Sequence, residues 1–499
     1  MGVMRFVVSS HERFSPRDHF HRAFLSGMEG RVFPVRIELN DGLLTCLRGV
    51  SESANLNIAW PVEGFGTPVL KTTTLMEREE PYRLPLELAR GKISQFRDQF
   101  SQWEHQGMQI PPGCRELGHQ AYELFVRALS MQHSDVMECE DLSQQALVLA
   151  CQAADLLTRT YIQQRLQFRR RRSKQLPAML GCNLGWGTPN VDFGDSFLAA
   201  FTAAMIPAEW KVVEPHHGSQ QWELVDRQVE WCRDQRLMMY GGPLIDLTPG
   251  GMPDWLWEWE SDFQNLQSLV CDFVETVIAR YCGTIRHWEI AARANTGGAL
   301  AMSEEKRLSL VAKALEVAHQ VDDEIQLMIG IDQPWGDYQA RGHHRLSPFQ
   351  FVDALVRSGV GLSGVNLEFG VGYHPSGSAE RDLLEFSQLI DHWSRLGIPI
   401  YVTLAYPSSV EHDSHAQPDF EPDQNAFFNE SRQAEWIERY LSLSMAKQSV
   451  VGIFWSHFSD SAPHSYPNAG LLRSDRTEKP ALHQITKYRK TYWSAKEPH

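Results

Sequence analysis

The sequence predicts an α/β chain: a (β/α)8 TIM barrel preceded by a small β-rich domain and a helical segment. Three observations carry this. From residue 176 to about 490, apolar runs of strand length alternate with segments of helical periodicity. Eight strands, each trailed by a helix, are what such a barrel requires. No G-x-G-x-x-G follows the first of these strands, which argues against the doubly wound open sheet. Ahead of residue 176 the periodicity differs, and boundaries at 1–82, 83–175 and 176–495 follow from where it changes.

Taken in order, "RVFPVRIEL" at 31–39 alternates apolar and polar, and "NDG" at 40–42 is a turn signal. "LLTCLRGV", "LNIAWPV" and "VLKTTTL" follow at strand length, giving a small β-sandwich or half-barrel. "CRELGHQAYELFVRALSM" then places Leu117, Tyr122, Leu124, Phe125, Ala128 and Leu129 at helical spacing. A long helix after it carries Leu147, Ala150, Ala154, Leu157 and Tyr161 on one stripe. It closes on Arg169–Arg172, where cations offset the helix dipole. With no Gly/Ser linker around it, this segment is expected to pack on or brace the barrel. The barrel strands are "AMLGCNLGW", "AAMIP", "LMMYGGPLI", "IRHWEIAA", "IQLMIGID", "GVNLEFG", "PIYVTLA" and "VVGIFWS".

Composition removes several function classes. A net charge of −15 over 499 residues opposes nucleic acid as a partner, since phosphate binding needs a positive field. Nowhere do eighteen apolar residues run uninterrupted, so no membrane span is expected. "MGVMRFVVSSHERFSPRDHF" has no signal-like apolar core, so the chain as written is expected to be cytoplasmic, with export by another route left open. The eight cysteines show no C-x-x-C and are read as buried free thiols. His343, His344, His374, His457 and His464 show neither i, i+4 pairing on a helix nor H-E-x-x-H, so no metal is expected. No cofactor motif is present.

Barrel chemistry sits at the C-terminal ends of the strands. These ends bring up Trp186, Asp246, Glu289, Arg293, Asp332, Trp335, Asp337, Glu368, Tyr373, His374, Tyr406, Trp455, His457 and Asp460. Aromatic rings among carboxylates suit a carbohydrate, with rings stacking on sugar faces and acids taking hydroxyl hydrogen bonds. Trp288 and Trp455 could equally fill the barrel wall.

Five segments then carry a resemblance. They are "AEWKVVEPHHGSQQWELVDRQVEWC" (208–232), "GGPLIDLTPGGMPDWL" (241–256), "HWEIAARA" (287–294), "GIPIYVTLAYP" (397–407) and "SDSAPHSYPNAGLLRSDRTEKPALHQI" (459–485). In this order they resemble the family-10 glycoside hydrolases, the retaining endo-β-1,4-xylanases, over roughly the last two-thirds of the chain. That resemblance implies a (β/α)8 fold and a double displacement by two carboxylates about 5–5.5 Å apart. Carried over by position, the acid/base falls on Arg293 and the nucleophile on Leu404. The Asn before the acid falls on Ala292, and the strand-two Asn-Glu pair falls near Met205 and Ile206. Arg is always protonated and Leu has no lone pair, so neither can serve in that mechanism.

Strand parity puts Glu289 on the same face as Arg293, and Glu368 could point inward from strand six. Glu289 and Glu368 are therefore the candidate relocated catalytic pair, with Asp332 and Asp460 in reserve. A Glu289–Arg293 ion pair is the simpler alternative. Candidate substrate-binding residues are Trp186, Asp246, Arg293, Asp332, Trp335, Tyr406, Trp455, His457 and Asp460. Two readings result: a carbohydrate-binding pseudo-glycosidase, or a glycoside hydrolase with displaced carboxylates. The partner is an oligo- or polysaccharide, and Arg293 at the rim suggests an acidic one bearing a uronate or sulfate.

Overall fold

A computed structural model describes residues 2–8, 20, 22–27, 30–173, 175–187, 193–342, 344–417, 420–424 and 426–493. His343 lies outside them. The chain forms two compact units. One comprises residues 1–167 with 335–344 and 379–389, and the other comprises 168–334, 345–378 and 390–499.

In the first unit the strands are β1 (Gly2–Val7), β2 (Phe24–Ser26), β3 (Val32–Phe33), β4 (Val35–Asn40), β5 (Leu43–Arg48), β6 (Asn55–Ala59), β7 (Val69–Lys71) and β8 (Tyr82–Arg83). They form two four-stranded sheets, ordered β4-β5-β1-β8 and β3-β2-β6-β7. The run 31–39 is not one strand. Pro34, which has no N–H to donate, breaks it into β3 in one sheet and β4 in the other. The β4–β5 hairpin turns on Asp41 and Gly42, both at positive φ, as the Asn-Asp-Gly signal implies. Three helices follow, at Leu84–His105, Pro112–Met131 and Val136–Arg172. The buried stripe of the second is mostly small: Cys114, Gly118, Ala121, Phe125 and Ala128 are inside, whereas Tyr122 faces out. Gly118 is required there, because a Cβ would lie 2.3 Å from the Phe96 ring. Phe6, Leu44, Leu56 and Trp60 share one apolar core with Leu88, Ile93, Phe125 and Leu147 of the helices.

The second unit is the barrel. Its strands are β9 (Met179–Asn183), β10 (Ala203–Ile206), β11 (Met238–Gly241), β12 (Ile245–Asp246), β13 (His287–Ala292), β14 (Gln326–Asp332), β15 (Leu362–Gly370), β17 (Ile400–Ala405) and β19 (Val450–Trp455). All pair in parallel in the order β11-β10-β9-β19-β17-β15-β14-β13-β12, and a β11–β13 pairing closes the ring. The third stave is split, since β11 and β12 both lie on β13. Two short strands outside the ring, β16 (Tyr373–Pro375) and β18 (Phe420–Pro422), pair antiparallel above it.

Met179, Ala203, Met205, Tyr240, Met328, Tyr401 and Phe454 fill the interior as one apolar cluster. The barrel is thus a packed core with chemistry confined to its end. Trp288 is wall: it is 1% exposed and its indole donates to Ile285 O. Trp455 is also buried, its indole donating to Ala469 O. Among the described residues no helix is long and apolar enough to cross a membrane, and all eight cysteines are free thiols.

Candidate functional site

A cavity of about 240 Å³ opens at the C-terminal ends of the barrel strands. β9 and the turn after it supply Asn183 and Trp186; the segment after β10 supplies Glu209 and Lys211. Asp246 comes from β12, Glu289 and Arg293 from β13 and its end, Asn366 and Glu368 from β15. The turn after β19 contributes His457, His464 and Tyr466.

Arg293 occupies the centre of this arrangement. It is the first residue beyond β13 and takes a left-handed φ of 55°, uncommon for a side-chain-bearing residue and a mark of local strain. Its Nε and Nη2 donate to the two oxygens of Glu368 at 2.8 and 2.7 Å, a bidentate pair, and Nη1 donates to Asp246 at 3.3 Å. Phe420 and Tyr466 flank the guanidinium at 5.4 and 5.9 Å. Burial works against the charge, but Glu368 and Asp246 outweigh it and hold the guanidinium's pKa well above its usual value.

The expected Glu289–Arg293 ion pair is therefore not formed, because Glu368 and Asp246 take the guanidinium. Glu289 lies deeper, with Oε2 accepting from the Tyr240 hydroxyl and the Asn366 amide, each at 2.8 Å. Asn366 in turn accepts from Thr403. Gly330 makes room for the carboxyl, since a Cβ there would sit 2.3 Å from Glu289 Oε1. Burial, then the nearby charge of Glu368, pushes Glu289 up to about 8.

Glu209 was not picked out from the sequence. It precedes Trp210 in a short loop-to-helix segment where neither strand parity nor helical periodicity assigns a direction. Burial and the charge of Asp246 push its carboxyl up to about 7. Tyr466 and Lys211 were missed for the same reason, sitting in loops and short turns beyond the strand ends.

Of the residues read from the sequence as a carbohydrate site, Trp186, Asp246, Glu289, Arg293, Glu368 and His457 line the cavity; Asp332, Trp335, Tyr406, Trp455 and Asp460 do not. Asp332 is buried, accepting from the Gln333 backbone and side-chain amides, and burial followed by Glu368 pushes it up to about 6. Trp335 belongs to the first unit, packed under Arg381 at 4.3 Å, and Asp337 pairs with the same arginine. Tyr406 is fully buried, stacked on Trp436 at 4.8 Å. Tyr373 donates to Pro467 O from inside the loop cluster, and His374 is exposed.

His457, Asp460 and His464 bring ligand-capable atoms within 4.8 Å of one another. Their hydrogen bonds show a different use. His464 Nδ1 faces the Ala462 carbonyl at 2.7 Å and Nε2 faces Asp413 at 3.0 Å; two acceptors favour the imidazolium and, against burial, raise the ring's pKa. His457 stacks on it at 4.2 Å; burial and that neighbouring charge push His457 down to about 4. Asp460 accepts from Lys479 at 2.6 Å, Gly470 N at 2.7 Å and His457 at 3.1 Å. These bonds overcome burial and hold its carboxyl well below the usual range. Each of the three side chains is thus already hydrogen-bonded within the protein.

Residues 204–488 match the model of glycosyl hydrolase family 10. The chain is 21% identical over 201 residues to endo-1,4-beta-xylanase B of Thermotoga neapolitana, a match spanning 39% of this chain and 54%, about half, of that protein's length. Among solved structures, native xylanase 10B from Thermotoga maritima superposes with a TM-score of 0.50 at 15% identity, over 65% of this chain and 98% of that one. Xylanase 10B from Thermotoga petrophila, solved with xylobiose, gives 0.48 at 15% identity over 63% and 95%.

Proposed function

The chain belongs to glycosyl hydrolase family 10, and we propose that it binds an oligo- or polysaccharide at the barrel mouth without running that family's double displacement. The observation that carries this is the bidentate Arg293–Glu368 pair with Asp246 on the third nitrogen. A retaining hydrolase needs one carboxyl free to protonate and a second free to attack. Here the position that the resemblance gives to the acid is the guanidinium itself. The position it gives to the nucleophile is Leu404, 2% exposed and without a nucleophilic atom. Glu368, the obvious substitute nucleophile, holds both oxygens on the Arg293 guanidinium, which blocks its approach to an anomeric carbon. What remains suits binding: the Trp186 ring on the wall, with the Asn183, Ser456 and Tyr466 side chains among the cavity residues.

One observation favours a second reading, a hydrolase with displaced carboxylates. Glu289 is kept protonated near an engaged Glu368, so an acid and a base do face one cavity. A single experiment separates the two. Xylo-oligosaccharides, chosen because the relatives are named xylanases, are titrated by calorimetry while reducing ends are counted. Binding with no release above blank supports the binder. Release that Glu368→Gln abolishes, with the fold intact, overturns it.

A further inference from the structure

Each carboxyl lining the cavity can be asked where its hydrogen bonds go. Asp246 accepts from Arg293 and from the Thr248 amide and hydroxyl. Glu289 accepts from Tyr240 and Asn366, and Glu368 from both arms of Arg293. Glu209 stands apart: no described residue hydrogen-bonds or ion-pairs with its carboxyl, yet the residue lines the cavity. The charged groups that act on it are Asp246, Arg293, Lys211 and Glu368. Arg293 is committed to the other two acids. Lys211 Nζ is turned onto the Gly250 carbonyl at 2.6 Å. Both cations that act on Glu209 are thus engaged elsewhere, and its carboxyl, pushed up to about 7 by burial and Asp246, is the one in the cavity that no described donor holds.

We propose that Glu209 is the specificity-determining carboxylate of this cavity and that the sugar it selects carries a free amine, as glucosamine oligomers do. The inference rests on the carbohydrate-binding reading above and names its ligand class. An ammonium would supply both the missing donors and the missing positive charge. A neutral hydroxyl supplies a donor but no counter-charge, so the ionised carboxylate under it stays unpaired at a cost in free energy. A uronate or sulfate meets three carboxylates, and the one guanidinium that could receive it is already filled. Tyr466 lines the same cavity, its hydroxyl buried beside Glu368 and outside ordinary hydrogen-bond geometry. Trp186 adds an aromatic side chain to the cavity wall.

The test is calorimetric titration of the full chain near neutral pH. The probes are a glucosamine tetramer, its N-acetylated counterpart, xylotetraose and a galacturonate tetramer. The free amine is expected to bind about tenfold or more tighter than the N-acetylated sugar, a difference of about 1.4 kcal/mol. Glu209→Gln should erase that difference while leaving the neutral sugars bound. Lys211→Met, which removes a competing cation, should tighten the amine further and still tests the idea if Glu209→Gln fails to fold. Equal affinity for amine and N-acetyl forms, or a Glu209→Gln loss shared equally by all four probes, overturns the amine selection and leaves carbohydrate binding standing. If none of the four sugars binds, the carbohydrate-binding reading falls, and this inference with it.

Discussion

Glu289 Oε2 receives two donors at 2.8 Å, while Oε1 is walled by Gly330. A glutamine could accept both bonds through its one carbonyl oxygen, so Glu289→Gln keeps the contacts and removes only the titration. A carboxyl whose folded pKa is raised from 4.5 to about 8 gives stability that is complete below 4.5 and is lost as pH rises through about 8. The variant should therefore match the parent near pH 5 and exceed it near pH 9, by on the order of a few kcal/mol. Thermal melts at the two pH values check this, and a difference that does not grow with pH would contradict it. Gly330→Ala drives a methyl into the same carboxyl and should destabilise by roughly 1–3 kcal/mol, read from urea midpoints. At this scale much of the site was legible. Glu289, Arg293 and Glu368 sit on or just past strands, where alternation fixes which way a side chain points. Which carboxylate pairs with Arg293 was not legible, because that depends on the angle at which separate staves meet.

The segments after β17 and β19 are joined element to element by one buried ion pair. His464 Nε2 meets Asp413 at 3.0 Å with both side chains almost fully buried, and the two segments add a backbone bond from Gln417 N to His464 O. Against burial, the hydrogen bond from His464 holds Asp413 down to about 2, and that bond raises His464 above 6.5. The Asp413 contribution is present above 3.8 and lost as pH falls through about 2. The His464 contribution is complete below 6.5 and lost as pH rises through its raised value. His464→Gln should thus cost most between about pH 4 and 6.5, on the order of 3 kcal/mol, and least in alkali. Melting curves across that range test it, and a pH-independent deficit would mean the ring acts by packing alone. The sequence offered no sign of this pairing, since residues 413 and 464 lie in loops without periodicity. Elements with a regular repeat were legible by contrast. The exception, 31–39, kept strand periodicity through Pro34, and the chain changes sheet there because proline cannot donate to either ladder.

At the scale of the whole molecule, the family match ends short of what the chain needs to fold. The match spans 204–488, yet two stretches inside it, 335–344 and 379–389, belong to the compact unit formed by residues 1–167. Sequence periodicity could not reveal this, because both stretches read as ordinary parts of strand–helix repeats and their partners lie some 290 residues away. Within that unit Lys92 Nζ donates to Asp382 at 2.5 Å, and Gln95 reaches Gln388. Leu384 is 1% exposed in a cluster with Phe96, Trp103 and Leu157. A fragment cut to 168–499 would keep Asp382 and Leu384 but lose every one of those N-terminal partners. It would present an apolar patch and a carboxylate stripped of its lysine at the start of the helix that follows β16. The fragment is expected to be less soluble than the full chain and to unfold at lower urea, despite retaining the complete ring of barrel strands. Leu384→Ser with Asp382→Asn should improve the fragment's solubility and destabilise the full chain, where the same two residues are partnered. The opposite signs of that pair of measurements are what the interleaved units demand, and a fragment as soluble and stable as the full chain would show that residues 335–344 and 379–389 hold their fold without the N-terminal unit.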